Sequence, residues 1–207
     1  MLEHFGLPYR AHMVGLYDGS MAADLAALSP ARTVPALLCE DGAVLFDSMA
    51  MAEELATRHP EAQLWPAEPK ARALARSITA EMHAGFSALR NECPMQLFHQ
   101  WVGFEPTAEV RKDLARFEVL FGHTKQIKLK GPWLFGAYSL ADAFYAPFMA
   151  RIAGYALPVS SDVSTYVATT LADAAFQQWR SEGIAKTYEP FPYPQPLKKT
   201  DWPTTRV

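Results

Sequence analysis

The chain has 207 residues, and its 19 Lys+Arg balance 22 Asp+Glu to a net −3 without any block of like charges. That excludes a nucleic-acid groove or a polybasic membrane anchor as its principal surface. Half the residues are apolar and 20% are charged, a globular composition with enough chain for one or two cores.

The first residues, MLEHFGLPYR, read as the last turn of a helix, with Gly6 as its stop and Pro8 two residues on. Tyr9–Leu16 reads as a strand and Ser20–Leu28 as a short helix. Val34–Glu40 and Ala43–Phe46 read as two strands joined by Asp41-Gly42, a two-residue hairpin signal. Asp47-Ser48 then opens a helix with Ala52, Leu55 and Ala56 on its apolar face, ending before Pro60. PEAQLWPAEP, residues 60–69, carries three prolines and reads as a linker.

Beyond the linker the pattern is helical. Leu74, Ile78, Met82, Phe86, Leu89, Cys93 and Leu97 recur at steps of three or four, which predicts one long helix kinked by Pro94. A second helix starts at Thr107, a third at Ser139, and a fourth at Ser160 or Ser161 runs to about Trp179. The tail, 188–207, holds five prolines and four aromatics.

Two stretches carry chemistry. In SPARTVPAL, residues 29–37, a proline at the mouth of a strand has no N–H for the ladder. A cis Val34-Pro35 bond would turn the neighbouring N–H and C=O outward, where an extended peptide can pair with them; the other reading is an ordinary trans proline opening a strand. In VLFDSMAMAEEL, residues 44–55, Asp47-Ser48 stands where a strand meets a helix start. The Ser48 hydroxyl and the first-turn N–H groups suit a carboxylate, and Asp47 suits an ammonium, together an α-amino-acid head group. Asp-Ser is equally a helix cap.

Taken together, a strand entered by Val-Pro, a tight hairpin and Asp-Ser at a helix start resemble the glutathione-binding half of the glutathione transferase family. PWLFGAYSLADAFYAPF, residues 132–148, resembles the family's signature at its buried helix, with Ser139 and Asp142 forming a capping box whose role is folding. EMHAGFSALRNECPM, residues 81–95, is similar to one bacterial branch. The resemblance runs from residue 1 to about 185. It implies a thioredoxin-like α/β domain over 1–60 that lacks its first strand, an all-α helical bundle over 69–187, and a Pro-rich tail over 188–207.

The resemblance also implies that Val34 bonds the cysteinyl part of glutathione through its backbone, with Pro35 cis, while Asp47 and Ser48 hold the γ-glutamyl head. Thr33 stands where the family often has lysine, with Arg32 beside it as a substitute cation. His83, Phe86 and Arg90 are candidate lining of the second-substrate pocket. On the family pattern about twenty residues, including the strand and loop with the activating hydroxyl or thiol, would precede Met1, so no catalytic residue is assigned. The expected activity is glutathione conjugation to a small electrophile by a cytoplasmic homodimer. The alternative is a non-catalytic binding or interaction module.

Some residue types are set aside. Cys39 and Cys93 lie far apart with no C-x-x-C, which argues against a disulfide scaffold or zinc site and for a reducing compartment. Both read as core rather than nucleophile. His4, His12, His59, His99 and His123 show no ligand spacing, so no metal is expected. No run reaches the roughly 18 apolar residues of a membrane helix, and the N-terminus has no signal-peptide pattern.

Overall fold

Gly6 stops the first helical turn by adopting φ +61. Its N–H donates to the Glu3 carbonyl at 3.1 Å, and the Leu7 N–H reaches back to Leu2 at 3.0 Å, the paired bonds of a Schellman ending. Leu7 is buried, as the residue after such a stop commonly is. The computed structural model describes residues 1–16, 19–185 and 195–203. The chain divides into two units, Met1–Leu64 and Trp65–Val207.

In the first unit, α1 (Met21–Asp24) and a 3-10 turn (Ala26–Leu28) cover the predicted short helix. The strand expected over Tyr9–Leu16 is not formed, and Tyr9, Met13 and Leu16 are exposed. Strand propensity becomes a strand only where another backbone edge offers a ladder. Among the described residues of this unit the ladder is a single pair, β1 (Leu37–Leu38) and β2 (Val44–Leu45), bonded to each other.

The hairpin is shorter than its sequence pattern, because Pro35 has no N–H to give and Cys39 already belongs to the turn. The turn itself differs from a two-residue loop. The Gly42 N–H donates to the Cys39 carbonyl at 3.0 Å, so Glu40 and Asp41 form its centre. Gly42 at φ +87 then takes the left-handed position that rejoins the strand. From its far end rises α2 (Ser48–Arg58), which buries Met51, Ala52 and Leu55.

The second unit is helical, with α3 (Pro69–Ala84), α4 (Ser87–Glu92), α5 (Ala108–Gln126), α6 (Leu140–Tyr155), α7 (Ser161–Ala172) and α8 (Ala174–Ile184). The single long helix expected from residue 69 is broken at Gly85-Phe86, ahead of Pro94. Gly85 is extended and Phe86 left-handed at φ +58. A Cβ on Gly85 would lie 2.7 Å from the Glu81 carbonyl oxygen, so the break needs glycine there. The apolar stripe survives it: Ile78, Met82, Phe86, Leu89, Cys93 and Leu97 are all buried. The fourth predicted helix is likewise two, because Asp173 leaves helical geometry and caps α8 through the Phe176 N–H at 3.0 Å.

α6 is apolar on every side and is the centre of this unit. Its Tyr145 hydroxyl donates to the Ile78 carbonyl of α3 at 3.1 Å, and Tyr155 donates to Pro94 at 2.9 Å. Phe86, Phe117, Tyr145 and Phe148 stack around it at centroid distances of 4.8–6.5 Å. The Ser139 N–H donates to Asp142 at 2.8 Å, as the capping-box pattern predicts.

Two strands interrupt the helices, which the expected all-α domain did not include. β3 (His99–Val102) pairs antiparallel with β4 (Lys198–Asp201), so this part of the Pro-rich tail is a strand on the helical unit. Residues 188–194 and 204–207 of the tail lie outside the described residues. Thr79, fully buried in α3, has a hydroxyl with no hydrogen-bond partner among the described residues. Thr79→Val removes that orphan at nearly constant shape and should add about 1 kcal/mol. The thermal melt should then rise by a few degrees; an unchanged or lower Tm would show that the hydroxyl is bonded after all.

Candidate functional site

The hairpin register decides which residues meet. Leu37 faces Leu45 and Leu38 faces Val44. The ladder ends at the Leu37–Leu45 pair, so Val34-Pro35 leads into, and Asp47-Ser48 leads out of, the same end of the hairpin. The two stretches singled out in the sequence thus stand together at the open end of one hairpin. The Val34-Pro35 bond is cis, as is Ser29-Pro30. Val34 is 40% exposed.

Asp47 is the N-cap of α2. Its Oδ1 accepts from the Met49 N–H at 2.8 Å and the Ala50 N–H at 3.1 Å, while its carbonyl accepts from Met51 at 2.9 Å. The first-turn amides expected to hold a carboxylate are therefore engaged by Asp47 itself. Ser48 is half-buried at the first helical position, beside that cap. One end of the hairpin thus brings a carboxylate and a hydroxyl together in sequence at a helix start. Arg32 and Thr33 are exposed just before Val34.

The other end of α2 is fastened too. Arg58 bonds Glu54, one turn back, at 2.7 Å and reaches Asp41 at the hairpin turn at 2.9 Å. Hydrogen bonds from Ala43 and Arg58 hold the Asp41 carboxyl below its ordinary pKa, and those to Glu54 and Asp41 raise that of Arg58. Sequence reading passed over this pair. The Glu54–Arg58 spacing marks a surface helix pair, but nothing local points to Asp41.

The candidate pocket residues of the helical unit are placed differently from one another. Phe86 is buried against Phe148 and Tyr145. The Arg90 guanidinium donates to the carbonyls of Met82 at 2.5 Å and Gly85 at 3.0 Å, closing the end of α3, and burial lowers its pKa. His83 alone of the three is exposed, its ring edge-on to Phe144 at 6.3 Å. Cys93 is fully buried, and burial pushes its thiol up to about 12, which suits core and not nucleophile. Among the described residues no group of three or more His, Cys, Asp or Glu could hold a metal ion, and no helix is long and apolar enough to cross a membrane.

A hairpin feeding a capped helix, followed by a helical unit around one buried apolar helix, is the architecture of a glutathione transferase. The family model "Glutathione S-transferase, N-terminal domain" matches residues 1–58. A curated relative, maleylacetoacetate isomerase of Pseudomonas aeruginosa, is 30% identical over 185 residues, 84% of this chain and 84% of its own. Among solved structures, a glutathione transferase homologue from Burkholderia GL BGR1 with bound glutathione superposes with TM-score 0.63 at 24% identity, covering 89% of this chain and 88% of its own. A glutathione transferase from Methylococcus capsulatus gives TM-score 0.64 at 23% identity, covering 89% and 91%. The chain belongs to the glutathione transferase family.

Proposed function

We propose that this chain binds glutathione at the open end of the β1–β2 hairpin and serves its addition to a small electrophilic substrate. The observation that carries the reading is the hairpin whose one end is entered by Val34-Pro35 and left by Asp47-Ser48. In this reading the Val34 backbone pairs with the cysteinyl residue as a strand would. Asp47 takes the γ-glutamyl ammonium and Ser48 donates to its carboxylate. Chemistry then requires the cysteinyl thiol to lose its proton, and donated hydrogen bonds that lower its pKa achieve this in water near neutrality. The thiolate sulfur forms a bond to an electrophilic carbon; either a leaving group departs with its bonding electrons, or a double bond opens and its far atom takes up the proton. No residue of this chain is assigned to thiol activation. An isomerisation in which sulfur adds and then departs would use the same site, and the isomerase relative supports that variant.

The bound Burkholderia homologue supports glutathione as the ligand, and the two free cysteines suit a reducing cytoplasm. A homodimer is the assembly the family resemblance implies. The second reading is a glutathione-binding module without turnover.

Retention on glutathione-agarose combined with a conjugation assay on an activated aryl halide tests both. Retention with turnover supports the enzyme, and retention alone supports the module. Failure to bind removes the glutathione site. Within that site Asp47→Asn is the informative change. Asparagine caps a helix as well as aspartate does, so the fold should stand. The charge facing the ammonium is lost, which should weaken glutathione binding about tenfold or more, measured by calorimetry.

A further inference from the structure

We infer that Arg58 and Asp41 are positioning residues for this binding site, a clamp that acts on the ligand from the opposite end of α2. The inference rests on the glutathione reading above. Its basis is the shape of one closed loop of chain. Asp41 lies at the apex of the hairpin, since the register pairs residues whose numbers sum to 82 (37 with 45, 38 with 44). From that apex β2 runs out to Asp47, and α2 runs back. The outward path of six residues is about 20 Å. The return path of eleven helical residues is about 16 Å, so the helix ends within side-chain reach of the apex. Arg58 spans the remaining gap at 2.9 Å to Asp41 Oδ2.

Each end of α2 is therefore fixed by an aspartate of the hairpin. Asp47 holds the N-terminus through two amide bonds. Asp41 holds the C-terminus, and its Oδ1 simultaneously accepts the Ala43 N–H at 3.1 Å, which sets the turn. Glu54 braces the guanidinium from the helix side at 2.7 Å. α2 also packs through Met51, Ala52 and Leu55. With Arg58 released, the helix can tilt on that buried face, and Asp47 and Ser48, the residues proposed to meet the γ-glutamyl head, tilt with it. Ligand positioning tolerates errors of only about 0.5 Å, so a modest swing at the far end is felt at the near one. The pair is solvent-exposed, which keeps the effect small.

Calorimetric titration of glutathione into the full chain, at low and high salt, tests this. Arg58→Gln and Asp41→Asn each keep a neutral hydrogen-bonding group, and asparagine preserves the acceptor for Ala43. Each should weaken binding about threefold, within what an exposed pair supplies. The ratio of variant to wild-type Kd should fall toward one near 1 M salt, where charge attraction is screened. Arg58→Lys, which keeps the cation and leaves the Asp41 bond to Ala43 intact, should recover part of the loss. Circular dichroism melts verify that each variant is folded. If the wild type binds and both single variants bind equally well, the clamp is overturned while the glutathione site stands. The clamp is likewise overturned if the loss persists undiminished at high salt and in Arg58→Lys. If the wild type does not bind glutathione, the underlying site is overturned and the clamp with it.

Discussion

Asp142→Ala should cost the helical unit about 4 kcal/mol, the size expected when a buried carboxylate is taken from several donors at once. Asp142 is 1% exposed at the head of α6. Its Oδ1 accepts from the Leu134 N–H at 3.0 Å and the Tyr166 hydroxyl at 2.9 Å. Its Oδ2 accepts from the Ser139 N–H at 2.8 Å and the Ser139 hydroxyl at 3.0 Å. One side chain thus ties the loop before α6, the helix cap and α7. Burial raises its pKa, and those hydrogen bonds pull the other way. Asparagine should not rescue it, because an amide NH2 in either oxygen's place would face donors. Tyr166→Phe removes one donor and should cost only about 1 kcal/mol. Thermal melts would show Asp142→Ala and Asp142→Asn both lowered by roughly 10 °C or more, or failing to fold, against a few degrees for Tyr166→Phe. A small loss in Asp142→Asn would contradict the four-donor geometry.

What the sequence disclosed was mostly local. Gly6 as a stop, Asp47 at a helix start, Thr107 and Ser160 as caps, and the Ser139–Asp142 pair each depend on residues within four positions of one another. The buried stripe from Ile78 to Leu97 was legible because its spacing persists across the break. The break was not, because a glycine inside an apolar period reads as a tolerated helix residue until its neighbour is seen to take a positive φ. Strand pairing failed for a different reason. Tyr9–Leu16 has the residues of a strand and no ladder, while His99–Val102, given no element from the sequence, finds its partner about a hundred residues later. Neither outcome is written locally. The candidate site divides the same way. Its residues were named from the sequence, but their juxtaposition follows from the hairpin register. Asp47 illustrates the limit, since the sequence pattern suits a helix cap and an ammonium partner alike, and the bonds formed within the chain are those of the cap.

Trp202→Ala should release β4 from the helical unit without unfolding it. Trp202 is 8% exposed, and the Arg180 guanidinium lies 5.3 Å from its ring centre. Arg180 also donates to the Leu97 carbonyl at 2.9 Å, so the ring closes over a contact between α8 and the segment leading into β3. Gly154 lies under the ring, where a Cβ would stand 3.5 Å from it. Deleting a buried tryptophan costs about 3–5 kcal/mol when the whole fold must absorb it. A segment at the end of a chain can instead detach, and the cost to the remaining fold is then limited to the free energy of docking. The loss should therefore be local. Lys198 and Lys199, held in β4 against β3, should become cleavable by trypsin at least about tenfold faster, as the undocked state gains population. The melt of the helical unit should fall less than in Asp142→Ala. Gly154→Val tests the same docking from the other side, because its methyl groups occupy the space of the ring. It should expose the same two lysines. Unchanged cleavage in both variants would show that the β3–β4 ladder holds the strand without its tryptophan.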